Sequence, residues 1–405
     1  MKKLIFTIVL IILVELIASV LYPRQVRLEK ILNILEQDPI LFWKHKSKLN
    51  LIFEGARIRS NSYGLRAEKE YASRNKNGAM RIICLGASPT FGWGVNFEDS
   101  YPQQLEKILK ARYPDKKFEV INAGIIGYSS YQGLLLLKSK ILDYSPDIIT
   151  VAYVINDVDR YRFFRSSGSP DKELAPLDPM TIFLKNTFRK SRIYELLEKS
   201  MATVGSIHNF PQVRVSEDDY RNNLEEIINI SRRNNIKLVF IKMPVNLPLP
   251  HYIDENSKKK AQDYVSLARN SMRQGHFKEA VLELQDAASV DPYPPEAYFY
   301  QGVCYRMLKN HGRSEELFAK AKDFMAFRCR LDSEKYNTLM QEIADAHLVP
   351  LADIALKFKE YSAEQLFVDL KSDPIHPNKF GHKIIAEEVL AAIERENIFF
   401  TASIN

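Results

Sequence analysis

Cysteine is scarce in this chain. Cys84, Cys304 and Cys329 are the only three in 405 residues, with no Cys-x-x-Cys spacing and no histidine cluster, which argues against a zinc site and a disulfide framework. Cys84 sits in an apolar run and reads as core. Cys304 and Cys329 read as buried thiols, with a pairing open only in an oxidising compartment. A Gly-x-x-x-x-Gly-Lys-Ser/Thr phosphate loop is missing and no metal-ligand cluster stands out, so no cofactor is expected. Blocks of one sign of charge are also lacking. The 57 Lys and Arg against 50 Asp and Glu, a net charge of +7, are spread along the chain. Lys258-Lys259-Lys260 reads as a solvated helix start, no nucleic-acid partner is expected, and the excess suits an anionic membrane surface or an acidic glycan. With 46% apolar residues, the chain can bury a large core and form more than one domain.

What is present begins with an apolar run. Met1, Lys2 and Lys3 lead into Leu4 to Leu21, broken by Glu15, Ser19 and a few small residues. Some 18 residues at about 1.5 Å rise reach roughly 27 Å, just enough for a bilayer core. Ala18-Ser19-Val20-Leu21 followed by Tyr22-Pro23 fits a cleavage site poorly, so residues 1–23 are read as an uncleaved, single-pass anchor in a bacterial cytoplasmic membrane. Lys2 and Lys3 favour a cytoplasmic N-terminus and the rest of the chain on the periplasmic or extracellular side, although Arg24 and Arg27 weaken the asymmetry. Glu15 is costly in lipid and is read as protonated or as a partner contact.

Residues 24–78 form a polar juxtamembrane stretch, expected to be helical, that leads into the main domain. From there helices and buried strands alternate. Strands are expected at Arg81–Gly86, Phe118–Asn122, Ile148–Val154, Lys237–Lys242 and Val349–Ile354. Helices are expected at Tyr101–Arg112, Tyr131–Asp143, Ser216–Asn235, Ser333–Ala346 and Lys379–Glu396. That alternation implies an α/β layered fold on a parallel sheet. Arg160 to Val213 has no regular pattern and is expected over the edge or mouth of the sheet. Between strands, Tyr264, Leu267, Ala268, Ala280, Leu284, Ala287 and Pro292 align with Tyr298, Gln301, Gly302, Ser314, Phe318, Ala321 and Ala326, 34 positions later. That period and its small and aromatic positions resemble tetratricopeptide repeats. Residues 258–328 are therefore read as an all-α repeat pair inserted into a domain of residues 79–250 and 331–400. Two repeats are too few for an independent solenoid and must lean on the α/β domain or a partner.

A serine hydroxyl needs a base, an orienting carboxylate and oxyanion donors before it attacks at neutral pH. Gly86-Ala87-Ser88-Pro89-Thr90-Phe91-Gly92 follows a buried strand and precedes a helix, presenting Ser88 at the strand's C-terminal end, where open α/β sheets bind ligands. Asp373-Pro374-Ile375-His376 lies before the last helix, where a three-residue step on a turn lets one carboxylate reach the imidazole that faces the serine. His382 is read as a packing or capping histidine.

These motifs, with Asn122-Ala123-Gly124-Ile125-Ile126-Gly127 after the second strand and Val154-Ile155-Asn156-Asp157 after the third, occur in the order seen in SGNH (GDSL-like) hydrolases. The resemblance covers about Asn61 to Ile398 apart from the repeats, with Arg160 to Val213 left open. It implies a three-layer α/β/α, flavodoxin-like fold, with Ser88 as nucleophile, His376 as general base and Asp373 as its partner. It also implies an oxyanion hole from the backbone N–H of Ser88, the backbone N–H of Gly127 and the Asn156 side chain. Gly124 is left as a turn residue and Asp157 as structural. Two departures stand out: Ala87 where the family has Asp, and Val154 where it has Gly.

The expected activity is ester cleavage through an acyl-serine intermediate. The substrate class is O-acyl, chiefly O-acetyl, groups on an envelope or exported polysaccharide or a small ester, with a protein partner engaged by the repeats. Acyl transfer to a sugar hydroxyl is the near alternative. A catalytically silent membrane-tethered scaffold is the alternative from another class, and the joint presence of Ser88, Gly127, Asn156, Asp373 and His376 argues against it.

Overall fold

The computed structural model describes residues 2–22, 26–73, 78–160, 168–188, 191–197, 209–245, 255–291, 293–369 and 373–396. Arg24 on the anchor's outer flank, Pro292 of the repeat alignment and parts of the Arg160–Val213 segment lie outside them.

Helix α1 (Lys2–Leu21) is followed by α2 (Val26–Ile34). Among the described residues no helix is long and apolar enough to cross a membrane. The fold thus lends the expected spanning anchor no more than a 20-residue helix with exposed apolar side chains from Ile5 to Leu21. The Glu15 carboxylate has an intramolecular use: it accepts hydrogen bonds from Ser191 Oγ at 2.8 Å and from the backbone N–H groups of Arg192 and Ile193, at the start of α7 (residues 192–197).

The juxtamembrane stretch is not helical beyond Ile34. It folds into two antiparallel hairpins, β1 (Leu35–Asp38) with β2 (Phe42–His45) and β3 (Asn50–Phe53) with β4 (Ala56–Arg59). Ile34, Leu35, Trp43, Ile58 and Leu65 enter the main core, so burial, not polarity, decides this segment.

The central sheet holds five strands: β5 (Met80–Gly86), β6 (Phe118–Gly124), β7 (Ile148–Ala152), β8 (Lys237–Lys242) and β9 (Leu351–Asp353). All pairings are parallel, in the order β6-β5-β7-β8-β9. Counted along the chain this is the 2-1-3-4-5 order of a flavodoxin-like doubly wound sheet. Alternate residues face opposite sides. Ile82, Cys84, Val120 and Val239 meet α4 (Tyr101–Arg112) and α15 (Lys379–Arg395) on one face. Ile83, Leu85, Ile121, Val151 and Phe240 face the other core, with residues of α5 (Ser130–Ser139), α8 (Glu217–Arg233) and the second half of α12 (His311–His347). Local chemistry sets the helix starts. Ser129 and Gln132 form a capping box on α5. Ser216 caps α8, which opens with Glu217, Asp218 and Asp219 and closes with Arg232 and Arg233, charges matched to the helix dipole. The helices α3 (Ser88–Phe91) and α6 (Pro179–Phe188) complete the first half, and α13 (Ile354–Lys357) and α14 (Ala363–Leu366) precede α15.

Residues 255–347 form four helices, α9 (Glu255–Arg273), α10 (Phe277–Val290), α11 (Pro295–Met307) and α12, each packed on the next. The small residues Ala268, Ala280, Ala287 and Ala321 are fully buried, which lets these helices approach closely. The helix expected at Ser333–Ala346 is the second half of α12, which runs 37 residues without a break. No Gly or Pro occurs from Arg313 to Val349 to stop it. Its first half packs Leu317 and Ala321 in the helical unit, and its second half carries Tyr336, Met340 and Ile343 into the α/β core. All three cysteines are free and buried.

Candidate active site

Three strands end side by side at one edge of the sheet. Gly86 of β5 pairs with Gly124 of β6 and Ala152 of β7, so the segments bearing Ser88, Gly127 and Asn156 leave the sheet from adjacent strand ends. Ser88 opens the one-turn helix α3, with Pro89 in its first turn and Gly92 left-handed at its end. A methyl group on Gly86 would lie 2.0 Å from Thr90 Oγ1, and one on Gly124 only 2.2 Å from the Phe91 nitrogen. Glycine at both positions lets α3 sit directly on the strand ends. Gly124 is therefore the last residue of β6 and a packing glycine, not the turn residue expected.

Polar groups hold α3 from below. Asn122 donates from Nδ2 to the carbonyls of Thr90 and Phe91 at 2.9 and 3.3 Å, and its Oδ1 accepts from Gly124 N. Arg66, fully buried, donates to the carbonyls of Phe91, Gly92 and Val95 at 2.6 to 2.7 Å and lies over the Phe91 ring. Burial pushes its guanidinium down to about 10, so it stays charged at neutral pH.

Asp373 and His376 sit on β11 (Asp373–Pro377), which pairs with β10 (Phe367–Asp369), in a strand and not the expected turn. Strict alternation would send residues three apart to opposite faces. The register shift along this pair, Phe367 with Pro377 but Asp369 with Asp373, breaks that alternation. Asp373 Oδ1 lies 2.5 Å from His376 Nδ1, and His376 Nε2 lies 2.8 Å from Ser88 Oγ. All three are buried. With the carboxylate on Nδ1–H, Nε2 is left to accept the serine proton, the geometry that can activate a hydroxyl. Trp93 stacks on the imidazole, with ring centroids 4.8 Å apart and planes 10° from parallel, and Phe53 meets Trp93 edge-on at 4.7 Å.

The other predicted residues come to the neighbouring turn. Asn156 donates from Nδ2 to the Tyr128 carbonyl at 2.9 Å, so it is fixed beside the turn Ile125–Tyr128 that carries Gly127 at φ 77°. Among the described residues, neither the Ser88 nor the Gly127 backbone N–H has a hydrogen-bond partner. Asp157, fully buried, accepts from the Ser130 backbone N–H at 2.8 Å at the start of α5, the structural role expected. Desolvation raises its carboxyl to about 7, against the opposing hydrogen bonds from Ser130. His382 caps a helix not its own: its Nδ1 accepts from Tyr101 N, at the start of α4, at 3.2 Å. Arg66, Trp93, Trp43, His45 and Arg214 are site neighbours that no motif flagged, and Asn122, which opens a motif, had no role assigned to it. Beside Ser88, an apolar cleft is lined by Ala87, Pro89, Ala152, Val154, Ile155 and Ile375 among others.

An α/β fold with this site fits a hydrolase of ester bonds. The particular family follows from sequence: the model of the GDSL-like lipase/acylhydrolase family matches residues 84–303, more than half of the chain, and the protein belongs to that family. No curated protein matches the chain. Among solved structures it is similar to an α/β hydrolase enzyme from the metagenome of Lake Arreo, Spain, at 16% identity over 78% of this chain and 95% of that one, with a TM-score of 0.39. It is also similar to an acetyl xylan esterase from Geobacillus stearothermophilus at 14% identity over 79% and 96%, TM-score 0.39. A third is the lipase/acylhydrolase from Enterococcus faecalis at 15% over 78% and 96%, TM-score 0.36.

Proposed function

We propose that the chain is a serine esterase in which Ser88 attacks the acyl carbonyl while His376 takes its proton at Nε2. Asp373 holds the imidazole tautomer and balances the charge that develops on it. The N–H groups of Ser88 and Gly127 and the second N–H of the Asn156 amide stabilise the tetrahedral oxyanion. The protonated His376 then gives its proton to the leaving alcohol, and water repeats the sequence to release the acid. The observation that carries this reading is the continuous bonding of Ser88, His376 and Asp373. The unpaired N–H groups of Ser88 and Gly127 at the donor positions support it.

The substrate class we infer is a short O-acyl group, chiefly O-acetyl, on an envelope or exported polysaccharide. The small apolar lining of the cleft beside Ser88, including Ala87 and Val154, suits a short acyl chain. Residues 4–21 are read as holding the chain at a bacterial cytoplasmic membrane, with the catalytic part outside; the exposed apolar side chains of α1 support this. Residues 258–328 are read as a tetratricopeptide-like unit for a protein partner, supported by the close packing of its small residues.

Fluorophosphonate labelling of membranes and supernatant from cells making the full chain tests both parts. Label on wild type and none on Ser88→Ala is expected, in the membrane fraction. Equal label on both would sink the nucleophile assignment, and label only in the supernatant would end the anchor reading.

A further inference from the structure

We propose that Trp43 is a positioning residue for the oxyanion hole, its indole N–H fixing the Ile126–Gly127 peptide unit, one of the two whose amides face the reacting carbonyl. The inference rests on the reading of Gly127 N–H as an oxyanion donor.

Trp43 lies on β2, in the N-terminal hairpin, some eighty residues before the turn it contacts. Its Nε1–H donates to the Ile126 carbonyl at 2.9 Å. In a trans peptide the C=O and N–H point in opposite directions, and the Ile126 carbonyl shares its peptide plane with the Gly127 N–H. Holding the carbonyl toward Trp43 therefore turns the Gly127 N–H the other way. The same bond polarises the amide and strengthens its donor end, by about 10–30% in condensed-phase estimates.

The rest of the turn is pinned by other groups. Ile125 N donates to the Gly86 carbonyl at 3.1 Å and Tyr128 N to the Ile125 carbonyl at 3.2 Å. Ile126 N donates to His45 Nε2 at 3.3 Å. The Gly127 carbonyl accepts from Arg214 Nη1 at 2.6 Å and the Tyr128 carbonyl from Asn156 Nδ2 at 2.9 Å. From Ile125 to Tyr128 the Gly127 N–H alone has no partner among the described residues. Glycine's left-handed φ of 77° here needs such fixing, because glycine has the widest choice of alternatives.

A plain packing role is the competing account. Trp43 is fully buried, meets Tyr128 edge-on at 5.9 Å, and lies under the Arg214 guanidinium at 5.4 Å. The two accounts separate if the ring stays and only the N–H is removed. Benzothienylalanine at position 43 does this, with sulfur replacing the indole N–H.

In the full chain, with p-nitrophenyl acetate as substrate and a trifluoromethyl ketone as a tetrahedral oxyanion mimic, the isosteric variant should lose about tenfold in kcat, near the upper range for one neutral hydrogen bond. KM should stay within about twofold, the inhibitor Kd should rise by the same factor as kcat falls, and the thermal midpoint should stay near that of wild type. Wild-type kcat and inhibitor affinity in the isosteric variant would overturn the inference, as would a parallel loss of stability, kcat and KM. Ser88→Ala, run beside it, separates the two levels. If it retains turnover, the site reading itself fails; if it is dead while the isosteric variant is unchanged, only the role of Trp43 fails.

Discussion

Residues 42–67 and residues 373–382 both touch the Ser88 turn, but they do so with different chemistry. The later segment supplies two side chains that bond to each other, one of which, His376, also bonds to the serine hydroxyl. The earlier one supplies Arg66, Trp43 and His45, whose bonds go to backbone atoms of the two turns around the site. Side chains of the first kind can take part in the reaction, whereas those of the second kind determine where backbone groups stand. Removing a member of the first kind should cost rate at constant stability. Removing one of the second kind should cost stability, or geometry, first.

The largest expected effect is on the side of rate. Asn156→Ala should lower kcat on p-nitrophenyl acetate by about 100- to 1,000-fold, roughly 3–4 kcal/mol of transition-state stabilisation, with little change in KM. Its unfolding free energy should fall only by what the lost bond to the Tyr128 carbonyl costs, about 1–3 kcal/mol. A large fall in the midpoint with modest loss of kcat would move Asn156 to the supporting group and break the comparison at that residue.

Arg66→Met reverses the pattern. The substitution keeps an apolar stem over Phe91 but leaves the carbonyls of Phe91, Gly92 and Val95 without the donor they share. The carbonyls of Phe91 and Gly92 keep Asn122 Nδ2 and Val95 N as donors, whereas that of Val95 is left without a partner among the described residues, so a loss of about 1–3 kcal/mol is expected. The check is a urea unfolding curve beside the rate per labelled active site. An unchanged midpoint would mean that the N-terminal hairpins only cover the site.

Much of the site was legible in the sequence because its chemistry is local. Ser88 between glycines, Asn156 after a buried strand and Asp373 three residues before His376 are short patterns. The strands at Arg81–Gly86 and Lys237–Lys242 and the helix at Tyr101–Arg112 came out within a residue of their observed bounds. The supporting half was not legible. Trp43 and Arg66 act on atoms 83 and 25 or more residues away, and nothing in a four-residue strand such as Phe42-Trp43-Lys44-His45 announces that partner. Adjacent Phe42 and Trp43 are both buried, which hides the alternation that marks a strand. Pro374 and Pro377 likewise read as loop residues, yet they sit on a two-stranded pair at the edge of the fold, where proline is tolerated.

The smallest effect uses a histidine from each segment. His45 and His382 are fully buried, and desolvation lowers both to about 3 from an ordinary 6.5. For His382 the positive charge of Arg66 adds to this. A depressed histidine stays neutral in the folded chain while the unfolded chain takes up its proton below about 6.5. Stability contributed this way is present above that pH and is lost as pH falls from about 6.5 toward 3, by at most about 1.4 kcal/mol per pH unit for each histidine. His382→Asn keeps an acceptor for the Tyr101 N–H and removes the titration. Urea midpoints between pH 4 and 7 should fall less steeply for this variant than for wild type, by up to that slope. Parallel curves would mean that the folded chain already accepts the proton at His382, and the acid sensitivity would then belong to the N-terminal segment through His45.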